Sequence, residues 1–217
     1  MMTNLFSVFD PCTGIFSLNW MSTLLFVMIL PYNFWFLPNK IMLNFNIIII
    51  MISKEMSSLM KYKGNNLIMI SLFLLILINN MWGLLPYVFT SSSHLLFSLT
   101  LALPLWMSFM LFGWMKKTNK MFSHLVPIGT PTVLMPFMVM IETISNFIRP
   151  GSLAVRLTAN MIAGHLLMSL LGNSSNNFIL ISILMMFLMM LTMFELAVSI
   201  IQAYVFLTLS TLYSSEI

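Results

Sequence analysis

Residues 177–213 run 37 positions without a glycine or a proline, and Glu195 is their only charged side chain. As one helix this run is about 55 Å long at 1.5 Å per residue. The hydrocarbon layer of a bilayer is only about 30 Å thick. An upright helix would leave some 25 Å of apolar surface in water, so the run must incline steeply or break. No residue within it favours a break. The rest of the chain is of the same kind: 60% of the 217 residues are hydrophobic and 6% are charged, against about 25% charged in a soluble domain. A water-soluble fold, a disordered tail and a nucleic-acid binder are excluded. An all-α polytopic membrane protein remains.

Spans follow from uncharged stretches of about 20 residues. Residues 15–37 read as a first span and 67–88 as a second. Residues 95–115 read as a third, closed by Lys116-Lys117-Thr118-Asn119-Lys120. Residues 41–62 read as an amphipathic helix in the membrane interface, because Lys40 and Lys54 bracket its apolar core. Residues 131–171, interrupted at Pro150-Gly151, and 177–213 read as a hairpin of two long, steeply inclined helices. The turn Gly172 to Asn176 joins them. That makes about five membrane helices plus one interfacial helix, in a single domain.

Seven of the nine basic residues are lysines in two clusters, Lys40 to Lys63 and Lys116 to Lys120. With the N-terminus outside, both clusters fall inside, and the outer turn at 90–94 carries neither lysine nor arginine. The first charge is Asp10 and the first lysine Lys40. A cleavable signal or Arg-rich transit peptide is therefore not expected, which predicts synthesis in a bacterium or inside an organelle. The lone Cys12 excludes an internal disulfide and a cysteine metal site. His94 and His124 read as solvated turn residues, and Trp82, Trp106 and Trp114 as interface or packing residues.

The few ionisable groups in the C-terminal half carry the chemistry, because charge within a membrane segment is costly unless it is paired or lines water. Glu142, Arg149 and Arg156 are spaced by seven and share a helix face. Ser145, Asn146, Ser152 and Asn160 fall on or near it. Thr192, Glu195, Ser199 and Gln202 form a second stripe on the last helix. His165 lies about half a turn from the arginine face and serves a different surface, toward the last helix. Two readings of Arg156 stay open. It forms a structural ion pair with Glu195, since Glu142 lies about 21 Å away along the axis. Alternatively it faces an acid on another subunit, which discriminates an ionised carboxylate from a protonated one. Glu142, Glu195 and His165 are then proton-accessible stations along water-filled clefts. Arg149 reads as snorkelling or lipid-paired.

The segment Glu142-Thr-Ile-Ser-Asn, followed by Arg149-Pro-Gly-Ser-Leu-Ala-Val-Arg156-Leu-Thr-Ala-Asn160-Met-Ile-Ala-Gly164-His165-Leu-Leu, resembles the signature of the membrane stator family of rotary ATP synthases. Glu195-Leu-Ala-Val-Ser-Ile-Ile-Gln202-Ala-Tyr204-Val-Phe is similar to that family's last helix, and the likeness is close to its mitochondrial form. The resemblance implies that Arg156 faces a rotating ring of c subunits whose carboxylate carries the proton. It implies that His165 and Glu195 serve the intermembrane-space half-channel and Glu142 the matrix half-channel. Asn160 and Gln202 would be polar neighbours of the arginine. It further implies a multi-pass protein of the mitochondrial inner membrane, its N-terminus on the intermembrane-space side. Its partners would be the c ring, the peripheral-stalk subunit b, other small F0 membrane subunits and the lipid bilayer, with no nucleic acid, no cofactor and no catalytic site of its own. Protons are favoured over sodium because no cluster of oxygen ligands is visible. A subunit of another ion-translocating respiratory complex or antiporter is the alternative. It would usually show broken helices in an inverted repeat. A purely structural anchor would not need the two stripes.

Overall fold

The computed structural model describes residues 5–14, 16–31, 35–60, 63–126, 131–174 and 178–216. Its α-helices are α1 (Leu25–Ile29), α2 (Lys40–Leu59), α3 (Lys63–Gly83), α4 (Leu95–Lys116), α5 (Thr118–Leu125), α6 (Met135–Asn173) and α7 (Phe178–Glu216). Short 3-10 turns at Leu5–Phe9, Leu18–Leu24, Ser91–Ser93 and Thr132–Leu134 link or precede them. Five helical stretches are long and apolar enough to cross a bilayer: Lys40–Leu59, Gly64–Gly83, Leu95–Lys116, Thr132–Asn173 and Ile181–Ser215. The chain is an all-α polytopic membrane protein.

The order of packing explains the core. α7 packs on α3 and α6, α4 packs on α6, and α2 lies against α3 and α7. The core joins Met56 of α2, Met69, Phe73 and Ile76 of α3, and Ala102 of α4. It continues into Leu153, Ala154 and Leu157 of α6 and Ala203, Phe206 and Leu207 of α7. Ala154 and Ala203 are both fully buried. Lipid is as apolar as leucine, so helices in a bilayer associate through close van der Waals packing, which small residues permit. Along α6 the buried positions 150, 153, 154, 157, 158, 161 and 164 step by three or four. They make one continuous packing face, with Arg156 and Ser152 exposed on the other side.

The structure departs from the sequence expectations at several places. Over the expected span 15–37, residues 15 and 32–34 lie outside the described residues. The described part is not one helix: a 3-10 turn at Leu18–Leu24 leads into the five-residue α1. These 12 residues rise about 20 Å, short of a bilayer. Thr23 donates to the Trp20 carbonyl and Ser22 to the Phe89 carbonyl, and Pro31 follows, which cannot continue the ladder. α2 covers most of the expected 41–62 helix, residues 61 and 62 lying outside the described ones. It packs through Met42, Phe45, Ile49, Ile52 and Met56, while Ile41, Leu43, Ile47, Ile48 and Met51 stay exposed. α3 stops at Gly83, short of 88, because Pro86 follows and Tyr87 takes φ 67° in the turn. The expected interruption at Pro150-Gly151 is absent: α6 runs 39 residues through both. A proline removes one backbone bond, and membrane helices tolerate that when neighbours pack around it; Pro150 is buried against them. The Lys116–Lys120 segment is not a plain loop, since α5 starts at Thr118.

α7 is unbroken over 39 residues. Gly164 of α6 abuts Glu195 of α7, and Arg149 of α6 lies over Tyr213 of α7. Falling numbers on one helix meet rising numbers on the other, so α6 and α7 form an antiparallel hairpin. Each is about 58 Å long, and a 30 Å apolar layer holds them only when they incline.

Candidate functional site

Glu195 is 7% exposed. Its carboxyl group lies over Gly164, where an added Cβ would come within 2.5 Å of Cδ and Oε2. A glycine lets the two helices close on a carboxyl group that any larger residue would push out. Ser199, one turn along the same stripe, is buried and donates to the Leu196 carbonyl and to the Met81 sulfur of α3. Thr192 and Gln202 are half-buried. The polar stripe of α7 therefore faces the bundle.

His165 follows Gly164 but turns to a different neighbour. The sequence directed it at α7; the structure places its imidazole beside the Gly83 backbone at the end of α3. Nε2 is buried and has no protein partner among the described residues. The Phe9 ring stands edge-on to the imidazole at 6.1 Å. Gly83 is itself tightly enclosed, an added Cβ meeting Met161 at 3.2 Å and Thr90 at 3.3 Å. His165 and Glu195 thus occupy adjoining positions where α3, α6 and α7 converge.

Arg156 is exposed. Among the described residues it has no ion-pair partner. Glu195 does not pair with it, because Gly164 fixes that carboxyl group about 12 Å further along the axis. Around the guanidinium's level both helices present exposed apolar residues, Val155 on α6 and Ile200 and Ile201 on α7. Asn160, one turn from Arg156, is half-buried, as is Gln202 on the facing stretch of α7.

Glu142 lies about 21 Å from Arg156 on the opposite side from Glu195. Its Oε1 is 3.6 Å from Arg149 Nη2, and the Arg149 guanidinium lies 5.3 Å from the centre of the Tyr213 ring. Arg149 is therefore engaged by its own chain. Sequence reasoning missed Tyr213; the long aromatic-free approach from Phe206 to a tyrosine near the end of α7 was its one signal. Beside this pair is a cavity of about 380 Å³ walled by Trp106, Trp114, Phe147 and Tyr213; His124, in α5 rather than in a turn, is exposed at its edge. Trp106 meets Phe147 at a tilt and Trp114 meets Phe122 edge-on. His94, also expected to be solvated, is half-buried in a three-ring cluster with Trp20 and Phe89, at ring distances of 5.1 and 5.2 Å.

The arrangement is a cation on an outer apolar surface with one acid on either side of it along the hairpin. One acid is deep in a polar, histidine-bearing cluster and the other is at the opposite end. Among known proteins, a family model described as ATP synthase A chain matches residues 14–215. ATP synthase subunit a of Anopheles quadrimaculatus is 58% identical, with all of both chains covered. That of Aedes aegypti is likewise 58% identical, and that of Drosophila melanogaster 57%, each again with full coverage of both chains.

Proposed function

The chain belongs to the ATP synthase A chain family, and from that premise we propose that it couples proton flow to rotation in the membrane sector of F-type ATP synthase. Membership makes it an F0 subunit and a part of the ATP synthase complex. Its apolar helices make it a multi-pass membrane protein, here of the mitochondrial inner membrane. The lysine clusters face the matrix and the N-terminus the intermembrane space, α2 lying along the matrix interface. The partners are a ring of c subunits, the peripheral-stalk subunit b and other small F0 subunits.

Protons enter from the intermembrane space at His165 and Glu195 and neutralise a carboxylate on the ring. The neutral acid moves through lipid at low cost, whereas the ionised one does not. After nearly a full turn it meets Arg156. The positive charge favours the ionised form, and the proton leaves by way of Glu142. Arginine suits this place because it stays charged where lysine loses its proton. A pair at 4 Å with an effective dielectric near 20 is worth about 4 kcal/mol of Coulomb energy. Each proton crossing 100 mV supplies about 2.3 kcal/mol. Asn160 and Gln202 orient groups around the arginine.

One observation carries the reading: Arg156 is exposed on an apolar surface and, among the described residues, has no carboxylate partner of its own chain. A charge on such a surface is stable only beside a partner from outside. The test is a cysteine at exposed Val155 paired with one beside the ring carboxylate, in the assembled complex. Disulfide formation that stalls rotation is expected; no cross-link at any ring position would remove the ring from this face.

A further inference from the structure

We propose that the cavity between α4, α5, α6 and the end of α7 binds one acyl chain of an anionic phospholipid, whose phosphate sits on the lysine corner between α4 and α5. Proton transfer at Arg156 plays no part in this binding.

The cavity holds about 380 Å³, within the range of about 300–1,000 Å³ that ligand pockets span. Trp106, Met110 and Trp114 line it from α4 at steps of four, so it follows one face of that helix for about 12 Å. Phe147 closes it from α6 and Tyr213 from α7. Leu111 and Phe147, both in its walls, are exposed, so it opens on the outer surface of the helices, where lipid lies. Spread over about 12 Å, the volume leaves a cross-section of about 30 Å². That admits a hydrocarbon chain but not a helix, which with its side chains is about 10 Å across.

Charge gathers at one rim. Trp114 and Met121 line the cavity from the two sides of the α4–α5 corner, and the corner carries Lys116, Lys117 and Lys120. Lys116 and Lys120 are exposed. No acid occurs between positions 56 and 141, and Glu142 is held at Arg149. Tryptophan beside lysine marks headgroup depth, which puts Trp106, two turns further along α4, within the hydrocarbon. Basic pockets between membrane helices recognise anionic lipid headgroups. Cations at the mouth above an apolar groove match an anionic amphiphile. A zwitterionic lipid offers the same chain without the net charge.

The test uses the assembled ATP synthase in phosphatidylcholine vesicles that contain a trace of photoactivatable phospholipid, with a diazirine midway along one acyl chain. The probe is phosphatidylglycerol in one arm and phosphatidylcholine in the other. After illumination, adducts on α4 and α6 are located by peptide mass spectrometry. Met110 and Phe147 should be labelled several-fold more by the phosphatidylglycerol probe. Lys116→Gln with Lys120→Gln should lower that labelling to the phosphatidylcholine level. Thr143→Trp, which fills the cavity and keeps the lysines, should abolish it; if that variant does not assemble, the lysine variant alone decides. Equal labelling by both probes, or labelling that neither variant changes, means ordinary bilayer lipid and overturns the site. No adduct on these residues means that another subunit covers the cavity, and overturns it as well. Labelling that added oleate displaces makes the occupant a free fatty acid and overturns the phospholipid.

Discussion

At Gly164 a hydrogen is the largest substituent that fits, because the Glu195 carboxyl group fills the space a Cβ would take. Gly164→Ala is therefore expected to displace Glu195 and slow proton-driven synthesis, while the amount of assembled complex changes little. Adding Glu195→Asp, which shortens the side chain by one methylene, should recover part of the loss. A Gly164→Ala complex with a normal rate would show that the carboxyl group has room to move. Cys12 makes a second residue-scale case, outside the membrane helices. The side chain of Asp10 raises its thiol above the ordinary value, first through a hydrogen bond and then through its negative charge. Less thiolate is present at neutral pH, and the thiolate is the reactive form. Maleimide labelling of Cys12 should be slow at pH 7 and accelerate as pH rises, and Asp10→Asn should move that rise to lower pH. Identical labelling profiles in both proteins would contradict it.

At the scale of elements, the N-terminal half of α6 and the C-terminal end of α7 are tied by Arg149, which bridges Glu142 on its own helix and Tyr213 on the next. A cation over a half-buried aromatic ring contributes about 0.5–2 kcal/mol. Tyr213→Leu should therefore leave the hairpin formed but fray its end. Amide hydrogen exchange over the last turns of α7 should be several-fold faster, with no change near Glu195. Uniform protection would mean the contact does not hold the ends. Element boundaries were legible where local chemistry set them. The lysines after Met115 closed α4, and the absence of glycine and proline predicted the unbroken α7. The break expected at Pro150 fails because neighbouring helices cover that proline, which no local pattern reveals. The span expected over 15–37 is uncharged throughout, yet hydropathy does not say whether hydroxyl groups and Pro31 let a helix continue. His94 reads as solvated in isolation. Packing with Trp20, distant in sequence, and with Phe89 half-buries it.

At the scale of the whole molecule, the two polar stripes do not face the same way. The α7 stripe turns inward and buries Glu195 and Ser199, whereas the α6 stripe carries Arg156 outward. The sequence showed both stripes and their spacing. Their opposite orientation follows from the buried face of α6 at 153, 154, 157 and 161, which sets Arg156 on the far side. Inclined helices of about 58 Å provide the length over which two acids stay separated along the bilayer normal. The most direct measurement is proton-driven ATP synthesis by inner-membrane vesicles containing the assembled Arg156→Ala complex, with Arg156→Lys alongside. The expected result is normal assembly with synthesis abolished in Arg156→Ala and nearly abolished in Arg156→Lys. Proton-driven synthesis that persists in an assembled Arg156→Ala complex would contradict the account.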